Sequence, residues 1–99
     1  MKVSHVVVHD VPASWNVCAA ALPTMRQPAA SGLLMLVAGA TDEGVRAISF
    51  WRSEADWERF RIDSLPALLR TIEPSRQLRT TDRQLAVRHL FAHGSVEAT

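Results

Sequence analysis

Three segments of this chain have the composition of strands, yet their apolar residues do not alternate with polar ones. They are HVVVH at residues 5–9, LLMLVAGA at 33–40 and VRAISFW at 45–51. Successive strand residues point to opposite faces of a sheet, so a sheet with one face in water alternates apolar and polar residues. These strands therefore need cover on both faces. A chain of 99 residues can cover one face with its own helices, and we expect a partner to cover the other.

The first half of the chain is predicted to form a strand, a helix and a hairpin. The first strand covers residues 3–9, and a helix begins after Ser14, a good N-cap, and stops before Pro23. The second and third strands then form a hairpin, because the turn TDEG at 41–44 places Gly44 where a positive φ angle is needed.

The second half is predicted to form a broken helix and a final strand. Ser53 and Asp56 have the spacing of a capping box, and an apolar helical stripe follows them. Pro66 falls inside that stripe and removes a backbone hydrogen bond, so we expect a kink or a restart near residues 62–65. Apolar and β-branched residues predict the last strand over residues 84–92.

This order of elements, strand, helix, strand, strand, helix, strand, predicts an α+β fold of the ferredoxin-like type. Its four-stranded antiparallel sheet has the order 4-1-3-2, with both helices on one face. We expect one domain over residues 1–93 and a flexible C-terminal tail over 94–99. The second face of the sheet is left bare, which again predicts a partner that covers it.

Composition excludes several classes of function. The eleven basic and ten acidic residues are interspersed, so the sequence has no electrostatic pattern for nucleic acid. No apolar run approaches the roughly 20 residues that span a bilayer, and the N-terminus lacks a secretory signal, so no membrane partner and a cytoplasmic location are expected. The single cysteine, Cys18, excludes an internal disulfide and is expected to be a small buried hydrophobe.

Residues 45–70 carry a resemblance to a known superfamily. The sequence VRAISFWRSEADWERFRIDSLPALL resembles the strand, serine cap and aromatic helix of the dimeric α/β-barrel superfamily, particularly its antibiotic-biosynthesis-monooxygenase-like domains. The resemblance implies that two sheets pack face to face in a barrel. It also implies that a small molecule binds between each sheet and its helices.

The functional positions of that superfamily are only partly kept. Trp51 matches a tryptophan at the end of the strand, but Ala47 stands where the oxygenases that act on polyketide phenols have an asparagine. Trp57 stands near the place of a phenolic side chain and offers an indole donor instead. Phe60 and Arg61 occupy the stretch in which haem-degrading relatives have a histidine ligand, so no haem and no other cofactor is expected.

All four histidines lie on the first and last predicted strands. His5 and His9 share one face of the first strand, and His89 and His93 share one face of the last. If the register pairs His9 with His89, it also pairs His5 with His93 and produces a ladder of imidazoles. Such a ladder suits an acid-base group near pH 7 or a divalent metal, although half-exposed structural histidines give the same pattern.

The predicted site combines these histidines with neighbouring residues. We assign His9 and His89 as catalytic candidates, and we assign no metal ligand. The candidate substrate-binding residues are His5, Trp51, Trp57 and Arg88, the last as a clamp for an anionic group.

Three functional hypotheses remain open from the sequence. The first is a homodimer that binds an aromatic or otherwise apolar small molecule and acts as a cofactor-independent monooxygenase or a related enzyme of secondary metabolism. The second is a non-catalytic ligand-sensing or dimerisation module with the same fold. The third is a metal-binding protein.

Overall fold

The structure, a computed structural model, describes residues 2–25, 30–75 and 77–92. Within them the chain forms four strands, three α-helices and one short 3-10 helix. The elements in chain order are β1 (His5–Val11), α1 (Trp15–Ala21), the 3-10 helix (Leu22–Thr24), β2 (Leu33–Thr41), β3 (Gly44–Trp51), α2 (Glu54–Asp63), α3 (Leu65–Ile72) and β4 (Thr81–Ala86). The predicted order of strands and helices is confirmed, with the second helix divided into α2 and α3.

The four strands form one antiparallel sheet in the order β2-β3-β1-β4. Counted from the other edge, this is the order 4-1-3-2 that the sequence predicts. Gly44 has a φ angle of 143° at the β2–β3 turn, and a Cβ there would overlap the carbonyl oxygen of Val11. The expected need for glycine at this turn is therefore confirmed.

The hydrophobic core lies between the sheet and the helices. Val7 and Trp51 enter it from the sheet, Trp57 and Phe60 enter it from α2, and all four are buried. Because strand residues alternate, the residues between them point to the opposite side of the sheet. We call this side the outer face, and its apolar side chains are Val6, Val8, Met35, Val37, Ile48, Phe50 and Leu85.

Helix α2 begins at a cap that also contacts Gly32, the residue before β2. The Ser53 hydroxyl oxygen accepts a hydrogen bond from the Asp56 amide at 3.1 Å, and the hydroxyl donates to the Asp56 carboxylate at 2.9 Å. Arg52 and Arg59 donate to the same buried carboxylate at 3.1 and 3.0 Å. Gly32 packs against this carboxylate with a φ angle of 90°, so that a Cβ there would overlap it.

These contacts decide the ionisation of Asp56. Burial alone would raise the pKa of Asp56, but hydrogen bonds from Arg52, Ser53 and Arg59 outweigh burial, so the pKa lies below its ordinary value. The capping box predicted at Ser53 and Asp56 is confirmed, and the carboxylate has the additional role of holding two arginines.

The predicted break in the helix is also confirmed. Helix α2 ends at Asp63, and α3 restarts at Leu65 with Pro66 in its first turn, where the missing amide is harmless. Helix α3 has no fully buried residue.

The predicted position of the last strand is wrong. Strand β4 covers Thr81–Ala86 rather than residues 84–92, because the pairing partner of β1 is the polar segment TDRQLA. The apolar residues that favoured the later position, Leu90 and Phe91, are 50% and 73% exposed. The tail predicted over residues 94–99 lies outside the described residues. None of the helices in the described ranges has the length and apolarity to cross a membrane.

Candidate functional site

A hydrogen-bonded histidine lies on the helix-facing side of the sheet. His9 is a β1 residue on the same face as Val7, and only 8% of it is exposed. Its Nδ1 lies 3.0 Å from Oδ1 of Asp82 on β4, and its Nε2 lies 3.0 Å from Oγ of Ser49 on β3. Both ring nitrogens therefore have partners, one on each neighbouring strand.

The hydrogen bonds continue from Ser49 into the core. The indole Nε1 of Trp51 donates to Ser49 Oγ at 2.8 Å, and the carbonyl oxygen of Val7 lies 3.4 Å from the same hydroxyl. Ser49 and Trp51 are completely buried. We call Asp82, His9, Ser49 and Trp51 the His9 chain; it crosses three adjacent strands.

Aromatic rings enclose the His9 chain on the helix side. The ring centroid of Trp57 lies 5.0 Å from that of His9 and 5.7 Å from that of Trp51. Phe60 lies 5.4 Å from Trp51 in the same cluster. The Trp57 Nε1 group is buried and has no hydrogen-bond partner among the described residues. The aromatic cluster thus contains one buried donor that is left unsatisfied.

His9 borders a small apolar cavity between the sheet and the helices. The cavity has a volume of about 60 Å³, and its other walls include Cys18, Leu36, Ala47, Leu65 and Leu69. Since one water occupies about 30 Å³ of liquid volume, this space is too small for an aromatic ligand. Burial raises the pKa of the Cys18 thiol, so this side chain is neutral in the cavity wall.

An open groove of about 640 Å³ lies beside the cavity, along α3. Leu65 and Leu69 line both spaces, and Asp82, the partner of His9, lines the groove. The groove has the volume of an ordinary small-molecule site. Arg61 and Arg70 add positive charge to its walls.

Arg61 is held in the groove wall by an ion pair. It donates two hydrogen bonds to Glu58 from the next turn of α2, the shorter at 2.7 Å. The hydrogen bond from Arg61 lowers the pKa of Glu58, so the pair stays ionised at neutral pH.

The structure brings together only some of the residues that the sequence nominates. His9, Trp51 and Trp57 meet in one cluster. His5 is also buried on the same face, but it is separate from this cluster. Its Nε2 forms a hydrogen bond of 2.9 Å with Oε1 of Gln84, the next residue after Asp82 on that face of β4. Arg88 follows β4 and is exposed.

The ladder of imidazoles does not form in this register. The residue of β4 opposite His9 is Asp82, which is seven positions before His89, and the residue opposite His5 is Ala86. His89 is exposed beyond the end of β4 and stacks on Phe91 with centroids 6.5 Å apart. His93 lies outside the described residues. The described part of the chain contains no cluster of three or more side chains suited to a metal ion.

Sequence reasoning missed Ser49 and Asp82. A serine on the buried face of an apolar strand needs a hydrogen-bond partner, and this requirement is the one signal that could have nominated Ser49. Asp82 carries no such signal, because its segment resembles a polar loop and only the β1–β4 register brings it to His9.

The order of the strands and the position of the helices identify the fold of the described residues. A four-stranded antiparallel sheet in this order, with helices on one face, is the ferredoxin-like α+β fold that the resemblance to the dimeric α/β-barrel superfamily implies. The resemblance to antibiotic-biosynthesis-monooxygenase-like domains is thereby confirmed at the level of the fold. No family model matches the sequence, and no curated protein matches it.

Two solved structures are similar to this chain over nearly their full length. One is a monooxygenase from the gene ActVA-Orf6 of Streptomyces coelicolor, in complex with the ligand nanaomycin D; it has 18% identity and a TM-score of 0.61, covering 93% of this chain and 94% of that chain. The other is PA3566 from Pseudomonas aeruginosa, with 18% identity, a TM-score of 0.59 and coverage of 90% and 98%. At this identity the similarity establishes the fold alone.

Proposed function

We propose that this protein is a cytoplasmic homodimer that binds an aromatic or otherwise apolar small molecule and oxidises it as a cofactor-independent monooxygenase or a related enzyme of secondary metabolism. The observation that carries the proposal is the His9–Asp82 pair. His9 borders the inner cavity and Asp82 borders the groove, so an acid-base pair lies where the two spaces meet.

The groove supports the binding of a small molecule. Its volume of about 640 Å³ suits a ligand with several rings, and its walls include Leu65, Leu69 and Leu78. The similar monooxygenase from Streptomyces coelicolor is a complex with nanaomycin D. In our proposal the ligand lies along α3 with its reactive end toward Asp82 and His9.

The chemistry that we propose begins with the removal of a proton. A base takes the proton of a phenol or an activated carbon, and the resulting anion supplies the electrons that reduce O₂. One oxygen atom enters the product and the other leaves as water. His9 is the base, since its imidazole is buried and a carboxylate orients it. His89 stays a weaker candidate because it is exposed and does not line the groove or the cavity.

The outer face supports the homodimer. It presents seven apolar side chains, of which Val37 is 51% and Leu85 is 61% exposed. Arg46 and Arg83 bind Asp10 at 2.7 and 3.2 Å near one end of this face, leaving its centre without charge. A second copy with the same face provides the apolar cover that one subunit lacks.

Oxygen consumption with a panel of quinols and polyphenols tests the catalytic part. We expect His9→Ala to lower kcat by about 10²–10⁴-fold, the usual contribution of a general base. His89→Ala is the matched control and should leave turnover unchanged. Turnover that survives in His9→Ala, or is lost in His89→Ala, would show that the base has been misassigned.

Two observations favour a non-catalytic ligand-sensing or dimerisation module as the second candidate. Both nitrogens of His9 already have partners, and the Ala47 side chain lines the cavity where related oxygenases carry an asparagine. Saturable quenching of tryptophan fluorescence by the same panel, with no oxygen uptake, would select this function. A metal-binding role is the third candidate, and elemental analysis of the purified protein tests it directly.

A further inference from the structure

The hydrogen bonds of the His9 chain determine where its protons lie. An indole nitrogen only donates, so Ser49 Oγ accepts from Trp51 at 2.8 Å. A carboxylate only accepts, so Nδ1 of His9 donates to Asp82 at 3.0 Å. In the neutral ring the lone pair is then at Nε2, and the Ser49 hydroxyl, 3.0 Å away, is the donor that reaches it.

Ser49 has a second acceptor within reach. The Val7 carbonyl oxygen lies 3.4 Å from the hydroxyl, close to the limit for a hydrogen bond. Rotation about one bond therefore moves the hydroxyl proton from Nε2 to this carbonyl, while the bond from Trp51 stays in place. Ser49 thus keeps a donor and an acceptor partner in both orientations, and neither leaves a buried hydroxyl unsatisfied.

We infer that Asp82 and Ser49 are positioning residues for His9: Asp82 fixes the proton at Nδ1, and the Ser49 hydroxyl covers the lone pair at Nε2 until a proton arrives there. The assignment of the tautomer holds for the free protein. The rotation of Ser49 during reaction rests on the proposed function.

When the ligand X–H bond breaks in the proposed reaction, its electron pair stays on the ligand and His9 becomes an imidazolium with a proton on each ring nitrogen. The imidazolium donates from Nδ1 to Asp82 and from Nε2 to Ser49 Oγ, the partners that these atoms already have. The Ser49 hydroxyl turns to the Val7 carbonyl, so the new N–H does not meet another proton. Asp82 faces the imidazolium and stabilises its charge.

The same groups in a different setting would form a serine hydrolase triad. Here Ser49 is completely buried, and Trp51 already donates to its oxygen, so this hydroxyl is not placed to attack a ligand. The order Asp82, His9, Ser49 therefore serves to orient the imidazole rather than to activate a nucleophile.

His5 provides an internal contrast. Its Nε2 lies 2.9 Å from the carbonyl oxygen Oε1 of Gln84, so it donates from Nε2. The two buried histidines of β1 are thus expected to be opposite tautomers. His89, which is exposed, provides the spectrum of a histidine outside the sheet for comparison.

Two-bond ¹H–¹⁵N correlation spectra of histidine-labelled protein without ligand test this inference. We expect the Nδ1–H form for His9 and the Nε2–H form for His5. Asp82→Ala should convert His9 to the Nε2–H form, because Ser49 can accept from Nε2 while it donates to Val7. Ser49→Ala should keep the Nδ1–H form and move the Nε2 resonance to higher frequency, since the lone pair loses its donor.

Gln84→Ala is the matched control. It removes the hydrogen-bond partner of His5, which lies on the same face of β4 as Asp82. It should therefore change the spectrum of His5 but not that of His9. An Nε2–H form for His9 in the wild-type protein, or an Nδ1–H form that persists in Asp82→Ala, overturns the inference. The wild-type spectrum decides the tautomer even if a variant does not fold. The expected spectra with no turnover and no ligand binding would instead refute the proposed function alone.

Discussion

The two buried tryptophans offer a direct measure of what an indole N–H contributes in this core. Trp51 and Trp57 are both fully buried, and their rings lie in contact. The Trp51 N–H donates to Ser49 at 2.8 Å, whereas the Trp57 N–H has no partner in the described part of the chain. Replacement of each by phenylalanine removes a similar volume. The difference in stability between the two variants therefore reports whether the N–H group has a hydrogen-bond partner.

The expected difference is large enough to measure. Trp51→Phe removes a hydrogen bond with a net contribution of about 0.5–1.5 kcal/mol, while Trp57→Phe removes a buried unsatisfied donor whose desolvation costs about 1–3 kcal/mol. Trp51→Phe should therefore be less stable than Trp57→Phe by about 1.5–4.5 kcal/mol. The free energy of unfolding of Trp57→Phe should be close to that of the wild type, because the packing lost with the larger ring offsets the gain from removing the unsatisfied N–H group.

Urea unfolding followed by far-ultraviolet circular dichroism measures both variants without relying on tryptophan fluorescence. All proteins are compared at the same protomer concentration, because the midpoint of a protein that dimerises, as we propose for this one, depends on concentration. Equal m-values are required before the midpoints are converted to free energies. If Trp57→Phe is as destabilised as Trp51→Phe, the Trp57 N–H has a partner and this reasoning is refuted.

Three further predictions follow from the anchor at α2 and from the outer face. Gly32→Ala should lower the free energy of unfolding by more than about 2 kcal/mol, because it combines a positive φ angle with overlap against Asp56; Gly39→Ala, whose Cβ meets nothing within 4 Å, is the control and should stay within about 0.5 kcal/mol. The pKa of Asp56 lies below its ordinary value, so its stabilisation is present above about pH 4 and is lost as pH falls through the lower folded-state pKa. Below about pH 4 the free energy of unfolding should therefore fall less steeply with decreasing pH in Asp56→Asn than in the wild type. Parallel curves of free energy against pH would contradict the prediction. Ile48→Glu should convert the proposed homodimer to a monomer in sedimentation velocity at micromolar concentration, and a wild-type protein that sediments as a folded monomer would remove the basis for that proposal.

Local signals in the sequence were sufficient for most of the fold. The cap at Ser53, the break before Pro66 and the glycine at the β2–β3 turn each depend on neighbouring residues, and each is confirmed. Strand β4 was misplaced because it is a polar edge strand. Its position depends on pairing with β1, and the apolar residues after it gave a stronger but misleading local signal.

The candidate site was less predictable for the same reason. Alternation along β1 predicted that His5 and His9 share a face, and the structure places both toward the helices. Their partners depend on two strand registers, and a shift of register exchanges every cross-strand neighbour. Asp82 and Ser49 are distant from His9 in sequence, so no local pattern in a single sequence identifies them.

The interruption at Ser64 has a mechanical consequence for access to His9. Helix α3 is separated from the firmly capped α2, and none of its residues is fully buried. Two of its leucines, Leu65 and Leu69, form the shared wall between the 60 Å³ cavity and the 640 Å³ groove. The positions of these two side chains therefore decide whether the two spaces are separate or form a single chamber. The room available next to the imidazole therefore depends on how this one short helix packs against the sheet.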